Sequence, residues 1–222
     1  MNHLELQRFI FLSLESTSSA AIPYVLAAYR EPQALLRLDN DLDASTLCHV
    51  ARRASVAQDR ALMGVWDRSF ATNVCCRTWN EEAPRALCPF SVALRQDSSL
   101  QSGDSANGHL PVLWGVVSRA AAVPLRTAAC VFLFKHVQSI LSAAVRSSVV
   151  GPYQAQALLT SSRLQDALSC ALEAEWETQV EDVGQTVPLM DLWIGLHEKL
   201  YRVFNSWPSL STCLLAARIK VL

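Results

Sequence analysis

STLCHVARRASVAQDRALMGVWDRSF, residues 45–70, decides the fold class. Leu47, Val50, Ala51, Ala54, Ala61, Leu62, Val65 and Trp66 recur at three- and four-residue spacings. That is the period of a helix with one face turned to a core, and it predicts one long helix over this stretch. Arg53 and Arg60 fall on another face, with Arg52 and Asp59 beside them.

The same period runs outward in both directions. Pro111, Pro124, Pro152 and Pro188 each head an apolar-periodic stretch. Proline suits the first helical turn, where its missing N–H costs nothing. Helices are therefore expected over Val112–Ala122 and Leu125–Ser147, from Pro152 through Leu172, and from Pro188 to about Phe204. Upstream, Gln7–Ala28 is apolar and serine-rich, and Pro23 is expected to divide it into two helical pieces. Asp39–Asp43 reads as an acidic linker able to cap the helix that follows. Residues 72–108 break the period with Pro84, Pro89, Gly103, Gly108 and the polar run Gln96-Asp97-Ser98-Ser99, so they read as a long loop. Glu173, Glu175, Glu177, Glu181 and Asp182 read as an acidic, exposed connection. The expectation is an all-α, single-domain helical bundle of about six to eight helices.

Composition narrows the function. Lys and Arg number 19 against 20 Asp and Glu in 222 residues, a net charge of −1. Charge-driven binding to nucleic acid or an acidic membrane is not expected at that balance. Apolar residues make up 51% and charged residues 18%, which excludes a disordered chain. Glycine, at 7 residues, is too scarce for an all-β fold or a phosphate-cradling loop. The seven cysteines are scattered and form no C-x-x-C pair, so reduced thiols and a cytoplasmic setting are expected. The start has no leader-like basic and apolar run, and the most apolar stretch, Pro111–Phe134, is interrupted by Arg119 and Arg126, so no membrane span is expected.

Catalytic chemistry is hard to find. The histidines, His3, His49, His109, His136 and His197, include no i, i+4 pair, and adjacent Cys75-Cys76 read as incidental loop thiols. Cys48 and His49 would point ~100° apart on a helix. Neither G-x-S-x-G nor a glycine-rich phosphate loop occurs. No catalytic residue, metal ligand or cofactor is assigned. Four polar features stand out, each with a plain reading. Arg52-Arg53 is a partner patch or a solvated helix face. His109 is a loop ligand or, more simply, exposed. Arg146 complements a helix dipole. His197-Glu198 with Tyr201-Arg202 makes ordinary helix-surface pairs. A generic helical adaptor stays open on these residues alone, as does, more weakly, a cysteine- or serine-dependent hydrolase.

Three ordered blocks carry a resemblance. LCHVARRASVAQ, residues 47–58, resembles the LNHVARRASxAQG segment of the eukaryotic UreF family of urease accessory proteins, with Cys48 for the family's asparagine and Asp59 for its glycine. HLPVLWGV, residues 109–116, is similar to its HxPVxxG helix start. It leads on to Phe134-Lys135-His136-Val137, to LSAAVR at 141–146 and to GPYQAQ at 151–156, which resemble the SAAVRL–xGxxxAQ block. Pro188–Leu192 and His197–Ser206 are similar to the closing PxxDxxxxxHExxYSRLFxS, except that Tyr201 runs directly into Arg202 and Asn205 stands for the second arginine. The family's opening DSxLPxGxFxxSxGLE is not found here. The resemblance divides the chain into a UreF-like helical domain over 1–206, with 72–108 as a variable loop, and an atypical extension over 207–222.

The resemblance implies an all-helical, homodimeric accessory protein that is not an enzyme. It would bridge a UreD/UreH-type scaffold protein and the UreG GTPase while nickel is loaded into apo-urease. Partner binding would fall to His197, Glu198, Tyr201, Arg202 and Phe204 at the closing motif, with Arg52, Arg53 and Arg146 contributing. Nickel cation binding is a property of the process, and none of this chain's side chains is assigned to the metal.

Overall fold

A computed structural model describes residues 3–46, 48–70, 82–96 and 106–183. Among the described residues every regular element is helical, as the periodicity predicts. In chain order they are α1 His3–Arg30, α2 Leu35–Ser45, α3 His49–Val65, α4 Glu82–Gln96, α5 Leu110–Ala120, α6 Leu125–Arg146, α7 Pro152–Leu159 and α8 Ser162–Ala174. Short 3-10 turns lie at Pro32–Ala34 and Val180–Asp182, and a π turn at Trp66–Phe70.

The bundle is organised around α5. Val112 through Ser118 are all buried, so this helix is apolar on every side and enclosed by its neighbours. α1 packs along it most extensively, with α2, α3, α4 and α6 around the rest. Gly115 explains how close α1 comes. A Cβ at this position would lie 2.5 Å from the Val25 carbonyl oxygen and 3.0 Å from the Ala28 Cβ. Only a residue without a side chain lets the two backbones meet there. Trp114 fills the other side, 2% exposed, and its indole N–H donates to the Ala128 carbonyl at 2.9 Å. At the end of α5, Arg119 Nη1 donates to the carbonyls of Tyr29 and Arg30, both at 2.8 Å, and so satisfies the C-terminus of α1.

Several sequence expectations need correction. Pro23 does not divide α1, which runs unbroken for 28 residues. Ala21, Ile22, Tyr24, Val25, Leu26 and Ala28 around it are all buried, and that burial offsets the lost hydrogen bond, which costs about 3 kcal/mol in an isolated helix. Asp39–Asp43 is not a linker but lies within α2, with Leu38 and Leu42 facing the core. The long helix over 45–70 is really the end of α2, a turn at Thr46, α3, and the π turn. The segment read as a loop holds α4. There Ala83, Leu87 and Phe90 are 0%, 0% and 4% exposed, a helical stripe that the prolines concealed. Pro84 sits in the first turn, where it is harmless, and Pro89 points outward. The stripe running from Pro152 is broken at Thr160, after which Ser161 caps α8 through its own hydroxyl. The helix expected over Pro188–Phe204 lies outside the described residues.

By length and composition α1 and α6 could each cross a membrane, and half of each such stretch is buried inside the bundle. The Pro111–Phe134 stretch is broken by a turn through Ala121 and Ala122, the latter at φ 56°.

Candidate functional site

Buried polar groups gather at the start of α5. Asp39 on α2 is 0% exposed. Its Oδ2 accepts the backbone N–H groups of Asn107 at 2.7 Å and Gly108 at 2.9 Å, and its Oδ1 accepts that of His109 at 2.7 Å. Three successive amides thus form an anion nest that the chain's own carboxylate fills. Burial pushes the Asp39 carboxyl up, and the amide donors together with the His109 ring pull it back.

His109, read from sequence as an exposed loop residue, is instead 1% exposed. Its Nε2 lies 2.9 Å from Asp43 Oδ1 and its Nδ1 3.2 Å from Ser55 Oγ. The Leu110 N–H donates to the same Ser55 oxygen at 3.1 Å. One arrangement of protons satisfies all three contacts: the Ser55 hydroxyl donates to Nδ1, and Nε2–H donates to Asp43. The other Asp43 oxygen pairs with Arg52, whose side chain is 45% exposed. A continuous polar chain therefore runs from solvent at Arg52 to the first turn of the central helix.

Ser55, His109 and Asp43 follow the order of a nucleophile–base–acid relay. Such a relay needs a carbonyl beside the serine. Here the ring is enclosed and the serine oxygen already accepts the Leu110 amide, so the trio anchors backbone. The sequence signal for the trio was weak. Ser55 and Asp59 sit four apart on the stripe that carries Leu62 and Trp66, and polar residues on an apolar stripe are the mark of a buried network.

Asp59 is the exception to that network. It is 0% exposed, and neither carboxylate oxygen has a hydrogen-bond partner among the described residues. Burial, and then the charge of Asp39, hold its carboxyl well above the usual range, against a smaller opposing pull from Arg60. It packs against Gly108, where φ is +83° and a Cβ would lie 2.8 Å from Asp59 Oδ2 and 2.9 Å from Leu94 Cδ2. Both the conformation and the space demand glycine there.

A second polar contact ties α1 to α6. His136 Nε2 meets Ser13 Oγ at 2.9 Å and Thr17 Oγ1 at 3.1 Å. Burial lowers its pKa to about 4.

Of the residues nominated for partner binding, Arg52 joins the polar cluster, while Arg53 on α3 and Arg146 at the end of α6 are exposed. His197, Glu198, Tyr201, Arg202 and Phe204 lie outside the described residues. Asp39, Asp43, Ser55 and Asp59 were not nominated. Among the described residues no group of three or more His, Cys, Asp or Glu side chains could hold a metal ion.

The sequence profile of the UreF family matches residues 2–163. A fission yeast protein described as an uncharacterized urease accessory protein UreF-like is 31% identical over 199 residues, covering 89% of this chain and 80% of its own length. Urease accessory protein 6 of Cryptococcus neoformans is 29% identical over 78% of this chain and 64% of its own length. Urease accessory protein F of Arabidopsis thaliana is 27% identical over 91% of this chain and 78% of its own length. No solved structure matches the chain.

Proposed function

This chain belongs to the UreF family of urease accessory proteins, and from that premise we propose that it bridges a UreD/UreH-type scaffold protein and the UreG GTPase while nickel is inserted into apo-urease. The single observation that supports this most is the order of its motifs. The LCHVARRASVAQ, HLPVLWGV and His197–Ser206 blocks fall in family order along one chain. The proposal makes the protein an adaptor whose product is an interface, working as a homodimer in the cytoplasm, without catalysis of its own.

The polar cluster gives this reading a physical frame. Arg52 projects from a rigid, internally bonded base, and an arginine fixed at its root loses less entropy when it meets a partner. Tyr201, Arg202 and Phe204 are residue types that anchor interfaces, and truncating such an anchor costs ~2 kcal/mol or more. The test is co-expression of apo-urease, the scaffold and the GTPase with and without this chain. Urease activity should depend on the chain, and the chain should co-elute with the scaffold. A Tyr201→Ala, Arg202→Ala double variant should lose that co-elution. Activity indifferent to the chain would sink the maturation role. Co-elution indifferent to the double change would sink only the docking site.

A further inference from the structure

Two fully buried carboxyl groups press on one glycine. Gly108 donates its N–H to Asp39 Oδ2 at 2.9 Å, and on its Cβ side it lies against the Asp59 carboxyl. We propose that Asp39 and Asp59 share a single proton and act as a latch: with the proton on Asp59 the segment 106–109 stays seated on α2 and α3, and losing it unseats that segment.

The geometry decides which acid keeps the charge. Asp39 receives three backbone N–H groups, whereas Asp59 receives no hydrogen bond from the described residues. A lone charge is therefore held on Asp39, and the proton rests on Asp59. The surrounding charges do not change this assignment. From α2 the site is faced by Asp39 and by Asp43, which is already engaged by His109 and Arg52. From α3 the cation that acts on Asp59 is Arg60, which is exposed. The segment itself brings His109, and α4 brings the apolar Leu94. The charged residue of α5 is Arg119, bound at the far end to carbonyls of α1. A second carboxylate charge would meet no hydrogen-bond donor among the described residues.

What gives way follows from what holds each part. α2 and α3 are fixed by Leu38, Leu42 and Leu62, at 1%, 7% and 0% exposure. Residues 106–109 are non-helical and are tied down by their amides to Asp39, by the Asn107 side chain to Asn40 and by the His109 ring to Asp43 and Ser55. Lifting this segment admits water to Asp59. It would also detach His109 from Asp43 and so loosen the base of Arg52. This inference stands whether or not the partners proposed above are correct.

Amide hydrogen exchange on the full chain between pH 6 and 10 tests it, with rates corrected for the intrinsic acceleration by base. In the native chain, protection at Gly108 and His109 should fall about tenfold per pH unit for as long as the seated state still holds the proton, because each opening then releases one. Protection at Leu133 and Leu141 of α6 should not change. In Asp59→Asn, protection at Gly108 and His109 should be independent of pH. Should that variant fail to fold, Asp59→Ala asks the same question. A flat profile in the native chain, or an equal slope in native chain and variant, overturns the latch.

Discussion

At the residue scale, what separates the polar groups of this protein is whether burial is matched by donors. Asp39 is buried with three amides, Asp59 with none among the described residues, and His136 is half-buried with two hydroxyls on one nitrogen. A hydroxyl can donate to a neutral imidazole, but an imidazolium at the same place is partly stripped of water and faces no carboxylate in these contacts. That is why the His136 pKa falls to about 4. The sign follows. With a folded pKa below the unfolded value of about 6.5, the unfolded chain binds more protons in between, so stability is present above that value and is lost as pH falls toward 4. The full linkage is about 1.4 kcal/mol per pH unit, and roughly 1 is expected here after discounting for the ring's partial exposure. In urea unfolding at pH 7, 6 and 5 the native chain should lose this stability relative to His136→Gln, which keeps an amide for the two hydroxyls while both proteins share the opposite contribution of Asp59. Equal slopes in the two proteins would refute it.

At the element scale the close crossing of α1 and α5 is the feature that positions everything else. It rests on Gly115, since a Cβ there would sit 2.5 Å from the Val25 carbonyl. Backbone cannot retreat as a flexible side chain would, so Gly115→Ala should separate the helices and cost about 1–3 kcal/mol. Gly64 in α3 is the natural control, because a Cβ there meets nothing within 4 Å. Gly64→Ala should leave packing untouched and gain up to about 1 kcal/mol from helix propensity. Thermal melts of the two variants should move in opposite directions, and a shared direction would show that crossing distance is not the controlling quantity. Sequence legibility also lives at this scale. Apolar period, with prolines heading helices, located α3, α5 and α6 and the all-α class. Proline chemistry misled at Pro23 in α1, where burial outweighed it, and in α4, where Pro84 in the first turn and outward-facing Pro89 leave the helix intact. The polar cluster was nearly invisible, because its members lie on α2, on α3 and at the head of α5, up to 70 residues apart. Periodicity reports which face is buried, not which buried groups meet.

At the scale of the whole molecule, the same arrangement separates two kinds of arginine that the sequence could only group together. Arg52 is rooted in the core through Asp43 and His109, so it couples the surface to the start of the central helix. Arg146 lies at the exposed end of α6, where it complements the helix dipole. If both serve partner binding, they should fail differently. Arg52→Ala should weaken partner capture and also release Asp43. Because the pair is about half exposed on the arginine side, the stability lost should be about 0.5–1 kcal/mol. Arg146→Ala should weaken capture as well. Co-elution with the scaffold protein and the GTPase, measured beside urea unfolding for each variant, separates binding from folding. Capture undiminished in both variants would remove these arginines from the interface and leave it to the closing motif.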